Sequence, residues 1–118
     1  MNRTRIYVVA VVLIAFVAVG GYIIFGNAHK GGQNRTIDVT VTAASSMKPS
    51  NLTANQNDTV TINITSDTSG EVHLHGYDIH FETKAGQVVS QTFKADKTGR
   101  FDIEWESTST PLGQLVVT

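Results

Sequence analysis

The 118-residue sequence contains no cysteine, and this absence excludes several kinds of chemistry at once. There can be no disulfide framework, no thiolate nucleophile and no thiolate metal ligand. The length is that of one domain. A domain this small, without disulfides, must take its stability from its hydrophobic core, unless a bound ligand or metal adds to it.

Clustered positive charge is missing too. Residues 27–118 hold seven Lys and Arg against ten Asp and Glu, a formal net charge of −3. Nucleic-acid binding rewards clustered positive charge, so we expect no nucleic-acid partner. The sequence also lacks a Ser/His/Asp set, a nucleophile elbow and a phosphate-binding loop, and we do not expect an enzyme.

Charge of either sign is absent from residues 6–25, which are almost all apolar. As an α-helix, these twenty residues would be about 30 Å long, which matches the hydrocarbon core of a bilayer. Arg3 and Arg5 precede the segment. The positive-inside rule therefore puts residues 1–5 in the cytoplasm and sends the rest of the chain across the membrane. We predict a single-pass membrane protein with a transmembrane signal anchor at residues 6–25.

Two alternatives to the anchor stay open. Small residues at Gly26–Ala28 could end a cleaved signal peptide, although twenty apolar residues are long for one. A core helix would need a polar face, which the segment lacks. Residues 26–35 are polar and contain glycine, which indicates a flexible linker. The extracytoplasmic domain is then predicted to occupy residues 36–118.

From residue 36 onward, apolar and polar residues alternate with the period of a β-strand. Turn signals rich in Gly, Asn, Asp and Pro separate the alternating runs. Short strands at this spacing predict an all-β fold, either a β-sandwich or a Greek-key barrel. The predicted strands are seven: 36–44, 51–54, 58–66, 71–82, 87–94, 100–107 and 113–118.

The predicted strand 71–82 contains three of the four histidines in the chain. Its apolar residues stand at even positions before Gly76 and at odd positions after it. This change of phase predicts a β-bulge or a sharp bend at Gly76. If the apolar residues face the core on both sides of the bend, the polar ones share the opposite face: His73, His75, Asp78, His80 and Glu82.

Four segments, in this order, resemble the cupredoxin-like family. Asn57–Ile62 resembles the early turn and strand, and Glu71–Asp78 has the HxHGYD form of the histidine-bearing strand. Phe93–Phe101 resembles the F-x-A-x-x-x-G-x-F segment before the penultimate strand, and Leu112–Val117 resembles the closing strand. The resemblance covers roughly residues 36–118. It implies a Greek-key β-sandwich of about seven strands.

The resemblance also implies where copper ligands would stand. Blue copper centres use two His, one Cys and usually a weak axial Met. Here the Cys position is occupied by Trp105, the second His position by Thr108, and the Met position falls near Pro111 or Leu112. We therefore expect no type 1 copper and no blue-copper electron carrier. Trp105 alternates with the apolar residues of its strand and is expected in the core.

The histidines nevertheless predict a metal site. Residues i and i+2 of a strand point the same way, with Cα atoms about 6.6–6.8 Å apart, so two imidazoles can converge on one ion. We predict His73, His75 and His80 as ligands of Cu(II) or another divalent metal. Asp78 would be an oxygen ligand or would orient a histidine. The alternatives are exposed polar residues without a ligand, or a pH sensor.

Two functional hypotheses follow. The first is a membrane-anchored, extracytoplasmic cupredoxin-like domain that binds copper or another divalent metal through histidines. The second is a metal-free cupredoxin-like interaction module with a protein partner in a cell-envelope assembly. An acidic row on the predicted strand 100–107 is expected to be solvated, with binding of a cation or a partner as the alternative: Asp102, Glu104 and Glu106.

Overall fold

The alternating pattern produces strands throughout the part of the chain that the structure describes. A computed structural model describes residues 32–118. A short 3-10 helix, Glu106–Thr108, lies between the last two strands. The strands in this range are β1 (Asn34–Thr42), β2 (Ser46–Lys48), β3 (Asn51–Ala54), β4 (Thr59–Ser66), β5 (Gly70–Leu74), β6 (Ile79–Thr83), β7 (Val88–Lys94), β8 (Gly99–Trp105) and β9 (Thr110–Val117).

The strands form two sheets that pack face to face. One sheet has five strands in the order β3-β9-β8-β5-β6, and the other has four in the order β2-β1-β4-β7. Two neighbouring pairs are parallel, β9 with β3 and β1 with β4. The remaining pairs are antiparallel. This arrangement confirms the predicted all-β, cupredoxin-like sandwich.

Every second residue of the main strands is buried between the sheets. In β4 the apolar residues Val60, Ile62 and Ile64 are at most 2% exposed, while the residues between them are partly exposed. The alternation therefore directs one face of each sheet toward a shared core. Trp105 belongs to this core at 4% exposure, as its alternation predicted.

Nine strands are present in this range where about seven were predicted. The predicted strand 71–82 is a hairpin of β5 and β6, joined by a turn at residues 75–78. The expected bend at Gly76 is therefore a full reversal, with Gly76 at φ 84° and Asp78 at φ 54°. Both values lie in the left-handed region that glycine and aspartate tolerate best.

The other differences concern a short strand and several strand boundaries, of which the largest is the start of β9 at Thr110, three residues before the predicted residue 113. β2 was not predicted because three residues, with one buried side chain, give too short a pattern to detect. β1 begins at Asn34, two residues before the predicted start, because Asn34 and Arg35 continue the parallel pairing with β4. The Arg35 guanidinium also donates hydrogen bonds to Thr53.

The predicted transmembrane helix at residues 6–25 lies outside the described residues, as does most of the predicted linker. Among residues 32–118, no helix is both long enough and apolar enough to cross a bilayer.

Candidate metal centre

Three histidine side chains meet on the outer face of the five-stranded sheet. His73 lies on β5, between β6 and β8, and its register partners are His80 on one side and Glu104 on the other. Val72 and Leu74, which flank His73, are fully buried on the inner face. Strand alternation therefore turns His73 away from the core, toward its cross-strand neighbours.

The imidazole rings are close to one another. The ring centroids of His73 and His80 are 4.3 Å apart, and their planes are nearly parallel at 8°. The ring of His75 lies 4.4 Å from that of His73, tilted by 50°. His73 is the least accessible of the three, with 14% of its side chain exposed. The structure thus brings together all three predicted histidines, although His80 comes from the second strand of the hairpin.

Each imidazole has at least one carboxylate partner. The Nε2 atoms of His73 and His80 both lie 3.1 Å from Asp78 Oδ1. Nδ1 of His73 is 3.2 Å from Glu106 Oε1, and Nδ1 of His80 pairs with Glu71. His75 Nε2 lies 2.6 Å from Glu104 Oε2.

The carboxylate contacts change the acidity of two groups. Hydrogen bonds from His73 and then from His80 lower the pKa of the Asp78 carboxyl below its ordinary value. The hydrogen bond to Glu71 raises the pKa of His80 above its ordinary value, and Asp78 raises it further. Hydrogen bonds to these partners thus favour the charged form of Asp78 and of His80.

An aromatic cluster holds the turn that carries His75 and Asp78. The Tyr77 ring packs against Phe93 and Phe101, at centroid distances of 5.1 and 4.8 Å.

Two hydrogen bonds join the same turn to Lys97. The Tyr77 hydroxyl donates a hydrogen bond of 2.6 Å to the Lys97 carbonyl, and the Lys97 ammonium donates one of 3.2 Å to the Gly76 carbonyl. The turn is therefore attached to the connection between β7 and β8.

Sequence reasoning missed three carboxylates of this centre, Glu71, Glu104 and Glu106. Glu104 and Glu106 were expected to be solvated, with a cation or partner role only as the alternative. The pairing of β8 with β5 brings Glu104 to the histidines, and Glu106 reaches them from the 3-10 helix that follows β8. The alternating acids of β8 were a visible signal, but only the strand order shows which residues they face. Glu82, predicted to share the polar face, is exposed opposite Glu71.

Among residues 32–118, two groups of side chains have the geometry to hold a metal ion. One consists of His73, His75 and Glu104, and the other of His73, Asp78 and His80. Within each group the candidate ligand atoms all lie within 4.8 Å of one another. His73 is common to both, so these are two arrangements around a single central imidazole.

A type 1 copper centre does not fit this chain. The chain has no cysteine, and Trp105, which occupies the position where the resemblance implies one, fills the core with its indole ring. The donors on the outer face are nitrogen and oxygen atoms only. Such donors suit Cu(II), Zn or Ni, but they cannot supply the copper–thiolate bond of a blue site.

A sequence model of the cupredoxin-like domain family matches residues 10–117. None of the curated protein sequences matches the chain.

Solved structures share the fold at low sequence identity. A chain of a heme-copper terminal oxidase dimer, solved by cryo-electron microscopy, superposes with a TM-score of 0.64 at 18% identity, over 78% of this chain and 71% of that one. A copper binding protein in its apo form has a TM-score of 0.58 at 12% identity, over 77% and 93%. A purple cupredoxin from Nitrosopumilus maritimus has a TM-score of 0.53 at 11% identity, over 70% and 99%.

Proposed function

Because the chain belongs to the cupredoxin-like domain family, we propose that it binds a divalent transition metal, Cu(II) foremost, through histidines on the outer face of its five-stranded sheet. The observation that carries this proposal is the convergence of His73, His75 and His80, with ring centroids 4.3 and 4.4 Å from that of His73. The role is binding rather than catalysis.

The donor set accounts for the choice of metal. Neutral imidazoles bind Cu(II), Ni(II) and Zn(II), and Cu(II) has the highest intrinsic affinity of the three for such sites. Carboxylates that accept hydrogen bonds from metal-bound histidines orient the rings and raise their basicity. Glu71, Glu104 and Glu106 are available for this role. Solved structures of the same fold include a protein described as copper binding.

The proposed setting is the outer face of a membrane. The uncharged segment at residues 6–25, with Arg3 and Arg5 before it, supports a signal anchor that leaves the β-domain outside the cytoplasm. A tethered domain would then handle metal locally, at the membrane surface, instead of diffusing as an electron carrier does. Fusing a periplasmic or extracellular reporter to the C-terminus would test this orientation, and reporter activity confined to the cytoplasm would refute it.

Calorimetric titration of the full chain with Cu(II), without a histidine tag, tests the metal proposal. We expect saturable binding of one ion, and an electron paramagnetic resonance spectrum with nitrogen ligation and no intense blue colour. The double variant His73→Gln/His75→Gln should lose this binding. His29→Gln changes a histidine outside the described residues and is the matched control. Binding that survives in the double variant would overturn the proposal.

The alternative function is a metal-free interaction module of a cell-envelope assembly. One observation favours it: each of the three clustered imidazoles already has a carboxylate hydrogen-bond partner without an ion. Thermal melts with and without Cu(II) separate the two functions. At a free metal concentration 100-fold above Kd, binding adds about 2.7 kcal/mol, which corresponds to roughly 10–20 °C for a domain this small. An unchanged midpoint would favour the metal-free function.

A further inference from the structure

We propose that the ion is held by His73 Nε2, His80 Nε2 and the Asp78 carboxylate, and that its remaining coordination positions are open to a small external ligand. This inference rests on the proposed metal-binding function and selects one of the two arrangements around His73. It departs from the HxH pair His73 and His75, which the sequence alone favours.

The hydrogen bonds of the two rings point to their Nε2 atoms. Nδ1 of His73 faces Glu106, and Nδ1 of His80 faces Glu71. A carboxylate at Nδ1 keeps the proton on that nitrogen. Binding of the ion therefore displaces the Nε2 proton that donates to Asp78, releases it to solvent, and leaves the Nε2 lone pair for the metal. Both Nε2 atoms then face the same oxygen, Asp78 Oδ1. Glu71 and Glu106 are therefore positioning residues.

The distances fit adjacent ligands of one ion. Ligand atoms about 2.1 Å from a metal, at angles of about 90–110°, lie about 3.0–3.4 Å apart. Asp78 Oδ1 is 3.1 Å from Nε2 of both His73 and His80, which is within this range. The ligand atoms of this group lie within 4.8 Å of one another. The exposed side chains of His80 and Asp78 would rotate to close the group around an ion, and the His80 ring would tilt out of its parallel stack with His73 so that the two Nε2 lone pairs converge.

The competing arrangement fits less well. His75 Nε2 and Glu104 Oε2 are 2.6 Å apart, which is a short hydrogen-bond distance rather than the separation of two ligands on one metal. An ion between them would have to push the pair apart. His75 is absent from the group formed with Asp78 and His80. We assign the His75–Glu104 pair to the support of the neighbouring ring of His73.

The exposure of the ligand side chains leaves part of the ion's coordination sphere open to solvent. Asp78 is 84% exposed and His80 is 48% exposed, whereas His73 closes the inner side of the site. Three protein ligands leave at least one position of a four- or five-coordinate ion for solvent. A small anion, or a donor atom from a metal-exchange partner, can occupy it. The site is therefore suited to acquiring and releasing its metal.

Single substitutions on the full chain separate the two arrangements. Residues that hydrogen-bond to metal ligands typically contribute 10–100-fold in metal affinity, and loss of a ligand should cost at least as much. We expect His80→Gln and Asp78→Asn to weaken Cu(II) binding at least tenfold, and Glu71→Gln about tenfold. His75→Gln removes a ring beside His73 but no ligand of this arrangement, so it should weaken binding less than His80→Gln does. His29→Gln is the matched control and should leave the affinity unchanged. Asn retains the left-handed preference of Asp, so Asp78→Asn preserves the turn.

Azide tests the open position. Added to the Cu(II)-loaded chain, it should shift the electron paramagnetic resonance spectrum and produce a ligand-to-metal charge-transfer band. An unchanged spectrum would overturn the open position. A large loss in His75→Gln together with unchanged affinity in His80→Gln would overturn the ligand assignment while the proposed function stands. Absence of Cu(II) binding in the unmodified chain would instead refute the proposed function. Melting curves of the metal-free variants confirm that each remains folded.

Discussion

The contact between Gly70 and Trp105 gives a direct test of the core beneath the histidine face. A Cβ added at Gly70 would overlap the Trp105 indole, which is 4% exposed. The interior is close-packed, so the indole has little space to move away. We expect Gly70→Ala to destabilise the domain by about 1–3 kcal/mol, the usual cost of an extra methyl in a packed core.

Removing the indole should reverse the effect of the methyl. Trp105→Ala leaves a large cavity and should cost about 3–5 kcal/mol. In the Trp105→Ala background the methyl of Gly70→Ala enters empty space. Gly70 does not have a left-handed backbone conformation, so alanine adds no backbone strain there. The double variant should therefore be about as stable as Trp105→Ala alone. The expected coupling energy is about 1–3 kcal/mol, within the range for residues in direct contact.

Urea unfolding of the full chain, followed by far-ultraviolet circular dichroism, measures this cycle. Fluorescence is unsuitable because Trp105 is the only tryptophan in the chain. If Trp105→Ala leaves too little folded protein, Trp105→Leu removes the same ring with a smaller cavity. Additive effects within about 0.5 kcal/mol would refute the packing argument, because residues without a shared contact behave in that way.

Three further predictions concern the turn, the site and a buried acid. Gly76→Ala should cost about 2–4 kcal/mol in urea unfolding, because Gly76 has φ 84° and a Cβ there would overlap the Phe101 ring. Glu71→Gln should lower the pKa of His80 in an NMR titration, because Glu71 is the main cause of its elevation. Because the pKa of His80 is higher in the folded protein, the Glu71 contact stabilises the fold fully only below the unfolded pKa of about 6.5, and this stabilisation disappears as the pH rises through the folded pKa. Glu71→Gln should remove that pH-dependent stabilisation. Asp58→Asn should cost about 1–3 kcal/mol, measured by thermal unfolding, because the buried carboxylate accepts hydrogen bonds from two backbone N–H groups through separate oxygens.

A strand could be predicted from the sequence wherever apolar and polar residues alternate over many positions. β4 has eight residues with four buried at every second position, so its pattern was unambiguous. β2 has three residues and one buried side chain, which is too little to distinguish from a loop. The hairpin of β5 and β6 was predicted as one bent strand because a bulge and a reversal both change the phase of the alternation.

The histidine cluster was predictable from the sequence, but its pairings and its carboxylate partners were not. Three histidines near one another in the sequence indicated a cluster, and the structure brings all three together. That His73 stands opposite His80 follows from the hairpin register. That Glu104 stands on its other side follows from the pairing of β8 with β5, between residues 31 positions apart. Long-range register of this kind is set by the packing of the whole sheet and leaves no local signal in either strand.

The proposed metal centre lies on the outer face of the sheet because successive side chains of β8 point alternately into the core and outward. Phe101, Ile103 and Trp105 face the core, so a metal ligand at the position of Trp105 would lie between the sheets. With an indole there and no cysteine in the chain, an interior thiolate site cannot form. Glu104 alternates to the opposite face, where β5 and β6 supply the imidazoles. Among the described residues, both groups able to hold a metal lie on this outer face. An ion bound there would be accessible to solvent and to exchange partners, as the proposed local metal handling requires.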